Sequence, residues 1–241
     1  MSTNYTKYYS GLKNKNRKKN ARIGEELSFA SKEAFNLLRT NISFAFPDHN
    51  GGKVLGISSA CPQEGKSTTA INLAYSLADA GNKVLLIDAD MRRPSVCFTL
   101  GIEMAPGLSN MLAGNEVAKV NKSVLLDNLD VITSGDIPPN PSELICSLKM
   151  KDFLDVCRAS YDYVIVDLPP VLSVADALAL SKYIDGVIIV VRHNNARRKD
   201  VVETIRQLEF ANAKVVGFVY NKIESKGVAR YYKPTKYYKK A

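Results

Sequence analysis

Five short apolar runs, separated by stretches compatible with helix, constrain this chain more than any other feature. They are KVLGISS (53–59), KVLLIDAD (83–90), YVIVDLPP (163–170), GVIIVVRH (186–193) and AKVVGFVYNK (213–222). Their apolar residues are continuous rather than alternating, which is the pattern of strands buried on both faces. Between the first two, KSTTAINLAYSLADAG (66–81) reads as an amphipathic helix closed by Gly81. Helical spacing returns over 141–158, 174–183 and 197–211, and precedes the first strand over 25–42, where Leu27, Ala30, Ala34, Leu37 and Leu38 share a face. At the start of 141–158, Asn140 is a candidate N-cap, Pro141 suits the first helical position and Glu143 the capping-box acid. The alternation predicts an α/β fold: a mainly parallel sheet with helices on both faces, binding ligands beyond the carboxyl ends of its strands.

At 241 residues the chain has room for one sizeable domain. No apolar run is long enough to span a bilayer, and the basic N-terminus lacks a signal-peptide core. Cys61, Cys97, Cys146 and Cys157 have no metal-ligand spacing and read as reduced thiols of a cytoplasmic protein. The net charge of +9 is uneven: 1–22 and 214–241 each carry +7, and 23–213 carries −5. A mildly acidic body with basic ends argues against nucleic acid and suits an anionic partner or a membrane surface. The expected organisation is a disordered basic tail (1–24), a P-loop domain (25–224) and a flexible tail (225–241). That last tail holds Tyr231, Tyr232, Tyr237 and Tyr238 among lysines.

The chemistry starts at ACPQEGKST, 60–68. It departs from the P-loop pattern only in carrying Ala60 for the first glycine, and a strand precedes it and a helix follows. Backbone amides from Ala60 through Gln63, Glu64 and Gly65 to Thr68 are positioned to cradle phosphate oxygens at a helix N-terminus. Lys66 supplies a charge to the phosphates of ATP, and the Ser67 hydroxyl reaches Mg²⁺. Asp88 and Asp90 end the second strand and Asp167 the third, so all three emerge at the P-loop edge, where carboxylates hold Mg²⁺ or take a proton. The only histidines, His49 and His193, form no Ser/His/Asp set. Phosphoryl transfer follows, to water or to a hydroxyl.

ACPQEGKSTTAINLA, VLLIDADMRRP, YDYVIVDLPP and TSGDIPPNPSELI, with the terminal tyrosine cluster, resemble the bacterial tyrosine kinases, a branch of the deviant P-loop ATPases. The form resembled is the free-standing cytoplasmic kinase of Gram-positive bacteria, over residues 30–241. The resemblance implies an ATP- and Mg²⁺-dependent autokinase in which Ser67, Asp167 and Asp88 serve the metal and Lys66 the phosphates. Asp88, supported by Asp90, activates the tyrosine hydroxyl. Arg92 completes D-x-D-x-R in the cofactor site, and Asn221 contacts adenine. It further implies trans-phosphorylation of Tyr231, Tyr232, Tyr237 and Tyr238 within a ring of subunits, and control of capsule or exopolysaccharide synthesis. A membrane-anchored activator would recruit the kinase to the inner face of the membrane, and a cognate tyrosine phosphatase would oppose it.

Two features depart from the family. The subunit-contact motif E-x-x-R-x-x-R reads Glu33, Asn36, Arg39, and asparagine makes no bidentate ion pair. The tail cluster is short, while Tyr5, Tyr8 and Tyr9 offer a second acceptor region in the other basic end. A regulatory ATPase of the division-site or partition type is the alternative reading. Those ATPases carry a second lysine early in the P-loop, and 60–64 has none. A non-catalytic nucleotide-bound scaffold is a third, with no need of Lys66, Asp88 and Asp167 together.

Overall fold

The computed structural model describes residues 22–47 and 51–223. Six strands form one parallel sheet: β1 (Lys53–Ser59), β2 (Val84–Asp88), β3 (Leu129–Ile132), β4 (Tyr163–Asp167), β5 (Gly186–Arg192) and β6 (Val215–Asn221), in the order β3-β2-β4-β1-β5-β6. Among the described residues eight α-helices accompany them: α1 (Phe29–Ala45), α2 (Lys66–Asp79), α3 (Val96–Leu100), α4 (Leu108–Ala113), α5 (Pro141–Cys146), α6 (Leu148–Ser160), α7 (Asp176–Ser181) and α8 (Arg198–Phe210).

The strands behave as their apolar runs predict. Val84 and Leu86 pack with Ile42 of α1, Leu73 and Leu77 of α2 and Val96 of α3. The intervening Leu85 and Ile87 pack on the other face, with Leu112, Met150, Leu154, Leu180 and Leu208 of α4, α6, α7 and α8. A two-residue period thus feeds two cores, and each fully buried Leu or Ile contributes about 1.5–3 kcal/mol. The register sets Asp88 and Ile57 each opposite Asp167, so the strand-end acids stand abreast where β1 runs into the P-loop.

Four expectations are corrected. The stretch 141–158 is two helices, because Ser147 adopts an extended backbone, ends α5, and caps α6 by accepting a hydrogen bond from the Met150 amide at 3.3 Å. Asn140 does not cap α5; its side chain bonds to Glu143, while Pro141 holds the first helical position. β3 completes an edge that the five apolar runs do not include: it is four residues long, and Asp130 interrupts its apolar character. The packed chain also begins before residue 25, since Gly24 is buried against Tyr75 and donates its amide hydrogen to Asn72 Oδ1. Residues 1–21, and the whole of 225–241 with the four tail tyrosines, lie outside the described residues.

Candidate active site at the carboxyl edge of the sheet

The P-loop leaves β1 at Ser59 and enters α2 at Lys66. Its turn needs Gln63 at φ 65° and Gly65 at φ 96°. A Cβ on Gly65 would stand 2.1 Å from Asn221 Nδ2, so glycine is required there both for its backbone angle and for space. The loop is braced from the far strands: Asn221 Nδ2 donates to the Glu64 carbonyl at 2.9 Å, and Arg192 Nη1 to the Gln63 carbonyl at 3.2 Å. Asn221 therefore touches the P-loop through the loop's backbone.

Lys66 is the centre of the site. Its ammonium lies 2.8 Å from Asp90 Oδ2, 3.3 Å from Asp167 Oδ1 and 3.3 Å from Ser67 Oγ. Burial works to lower the Lys66 pKa, but the Asp167 and Asp90 charges outweigh it, and the net shift is upward. Asp167 is wholly buried, and its Oδ2 has no hydrogen-bond partner. Its pKa is raised by burial, with Lys66 opposing.

The two aspartates of the β2 motif do different work. Asp88 is fully buried, and backbone amides occupy both of its oxygens. Oδ1 accepts from Asp90 at 3.2 Å, and Oδ2 accepts from Ser95 and Val96, each at 3.1 Å. Its carboxylate thus does the capping of α3 that Ser95, the cap residue, leaves undone. Burial, and then the Asp167 charge, push the Asp88 pKa up. Asp90 instead lines an open cavity of about 570 Å³, with Pro62, Gln63 and Gly65–Thr68 on one side and Pro169, Pro170, Ser173 and Val174 on another.

Arg92 stands on the wall of this cavity, and its guanidinium is engaged. Nε and Nη2 lie 2.9 and 3.3 Å from the Asp176 carboxylate, and Nη2 is 2.9 Å from Ser142 Oγ. Ser142 also donates to Asp176, which is 2 % exposed, so one carboxylate ties the β2 loop to α5 and α7. Asp176 and Ser142 are functional candidates that the reading of the sequence missed. The available signal was a lone acid in SVADALAL and a serine directly after Pro141. Arg93, Ser95 and Thr99 also line the cavity unannounced. Glu64 is buried beneath the loop with neither carboxylate oxygen hydrogen-bonded. Burial lifts its pKa to about 7.

The residues fit a divalent cation paired with nucleotide. Two carboxylates, Asp90 and Asp167, meet one ammonium, the Ser67 hydroxyl is adjacent, and Asp167 Oδ2 is an orphaned buried acceptor. Among the described residues no three His, Cys, Asp or Glu side chains form a metal cage by themselves. Glu33 and Arg39 lie elsewhere, on α1. Asn36 Nδ2 donates to Glu33 at 3.1 Å, and Arg39 donates to the Ser76 carbonyl at 2.7 Å, so both are held within the subunit.

The match to known proteins agrees with this geometry. The AAA domain family model matches residues 52–215. Tyrosine-protein kinase YwqD of Bacillus subtilis is 42% identical over 192 residues, covering 78% of this chain and 80% of the relative. Tyrosine-protein kinase CpsD of Streptococcus agalactiae is 36% identical over 203 residues, covering 83% and 86%. The chain belongs to the bacterial tyrosine kinases. The solved kinase domain of Escherichia coli tyrosine kinase ETK aligns with it at a TM-score of 0.77 and 34% identity, over 81% of this chain and 76% of that one. The kinase reading is therefore favoured over the division-site ATPase, and the chain is a tyrosine kinase with a P-loop NTPase fold. Among the described residues of this kinase, no helix is long and apolar enough to cross a membrane.

Proposed function

We propose that this kinase transfers the γ-phosphoryl group of ATP, bound with Mg²⁺, to Tyr231, Tyr232, Tyr237 and Tyr238 of another copy of itself. The observation that carries this reading is the convergence of Lys66, Ser67 and Asp90 on the cavity beside the P-loop, with the buried Asp167 carboxylate 3.3 Å from the Lys66 ammonium. The P-loop amides from Ala60 to Thr68 bind the phosphates, and Lys66 neutralises them. Ser67 and Asp167 hold the metal, with Asp88 behind them. Bound Mg²⁺ would offset charge on the phosphate oxygens. Asp90 lines the cavity, so it receives the acceptor proton, while Asp88 holds the loop that presents it. As the Oη–Pγ bond forms, the bond from Pγ to the β–γ bridging oxygen breaks. The products are phosphotyrosine and ADP, and the hydroxyl proton rests on the carboxylate.

The four tail tyrosines serve as acceptors because each offers a hydroxyl to the γ-phosphoryl group. The remaining expectations of the family reading belong with this one. The kinase assembles as a ring, through Glu33, Arg39 and further contacts. A membrane-anchored activator brings it to the inner face of the membrane, a phosphatase reverses the modification, and the output is capsule or exopolysaccharide synthesis. Incubation with Mg²⁺ and ATP followed by mass spectrometry, native chain beside Lys66→Ala, tests the core. Phosphate on the tail tyrosines of the native chain alone supports the proposal. Phosphate released to water with no phosphotyrosine, with or without the activator's cytoplasmic peptide, overturns it.

A further inference from the structure

We propose that Lys66 is the resident cation of the metal site, and that free divalent ions are kept out until a nucleotide draws its ammonium away. This rests on the kinase reading and assigns Lys66 a second role beyond contacting phosphates. The ammonium touches Ser67 Oγ and Asp167 Oδ1, both of them assigned to the metal, and makes its shortest contact, 2.8 Å, with Asp90. The Lys66 side chain is 11% exposed and those of its two acidic partners 5% and 0%, so water screens this charge little. A second cation entering here would meet the ammonium at contact distance, in a site with too few carboxylates to hold both charges. Asp167 Oδ2, left without a partner, is the acceptor that the ammonium does not satisfy. Phosphates in the P-loop offer Lys66 a competing anion, so nucleotide and metal binding become linked through one side chain.

The consequence is counter-intuitive, because removing this positive charge should create metal binding without nucleotide. Mn²⁺ alone, titrated by the electron paramagnetic resonance signal of the free ion, is the probe. Lys66→Met is expected to bind one Mn²⁺ roughly tenfold or more tighter than the native nucleotide-free chain. Arg93→Gln, which takes an equal charge from the cavity wall but not from the carboxylates, should bind Mn²⁺ as the native chain does. Equal Mn²⁺ affinity in native and Lys66→Met chains, or an equal gain in Arg93→Gln, would overturn the proposal. If Lys66→Met fails to show a cooperative melt, the native chain still decides: stoichiometric Mn²⁺ binding without nucleotide, as tight as with ADP present, would overturn the proposal, and marked weakening without ADP would support it. A native chain that phosphorylates tyrosine while Lys66→Met gains no Mn²⁺ sinks this inference alone. A native chain that binds neither ATP nor Mn²⁺·ADP removes the kinase reading beneath it.

Discussion

The cavity beside the P-loop and the groove between α1 and β6 are of similar size, about 570 and 590 Å³, and opposite in character. The cavity is floored by buried charge, with Lys66 and Asp90 both under 10% exposed and the wholly buried Asp167 in contact with Lys66. The groove is walled by Phe35, Leu38, Phe218, Tyr220 and Ile223, and Phe218 and Tyr220 are about half exposed. Burial magnifies each charge in the first, so a single side chain there decides chemistry. The second is half-wet apolar surface on an edge strand, where a single side chain decides little.

Substitutions can break or sharpen that contrast. Lys66→Ala should reduce phosphotyrosine formation the most, by about 10²–10³-fold, the loss typical of one preorganised charge-stabilising donor. Quantitative mass spectrometry at saturating ATP measures it. Asp88→Asn should cost about 1–3 kcal/mol of stability, because an amide NH₂ would be turned against backbone N–H groups that now share a carboxylate. Asp90→Asn should lose more turnover than stability. Urea unfolding of the pair, set beside kcat, separates the aspartate that organises the loop from the one that faces the cavity.

Asp176→Asn loosens Arg92 and should cost about 1 kcal/mol while raising KM more than it lowers kcat. Equal loss in both constants would leave Asp176 a purely structural residue. Glu64 gives a pH dependence of known sign. Its pKa is about 7 folded against an ordinary 4.5, so its stability contribution is fully present below about pH 4.5 and is lost as pH rises to 7. Glu64→Gln should therefore melt higher than the native chain at pH 8, with the gap closing toward pH 5; parallel curves in calorimetry would refute the buried carboxylate's role. Phe218→Ser, in the groove, should change stability by no more than about 0.5 kcal/mol and leave tyrosine phosphorylation intact.

Five of the six strands, the P-loop and the aspartates that close β2 and β4, Asp88 and Asp167, were legible in the sequence, because each is a local pattern: a continuous apolar run, a glycine-lysine-serine turn, an acid closing a strand. Local patterns also placed α1, α2, α7 and α8 to within a few residues. β3 was not legible, since four residues interrupted by Asp130 become a strand only through pairing with β2. The break at Ser147 was hidden for a related reason: a serine inside a helical pattern is neutral until its hydroxyl finds the Met150 amide. The sequence alone thus determined the sheet, its binding edge and the residue types that meet there. Only the tertiary structure decided their roles. Asp88 and Asp90 are two residues apart and chemically identical, yet one is enclosed by backbone amides and the other lines the cavity. Asp176 reaches Arg92 from 84 positions away. Spacing along a chain fixes which edge of a sheet a carboxylate leaves, but its partners, and so its charge and its chemistry, come from segments that only the folded packing brings together.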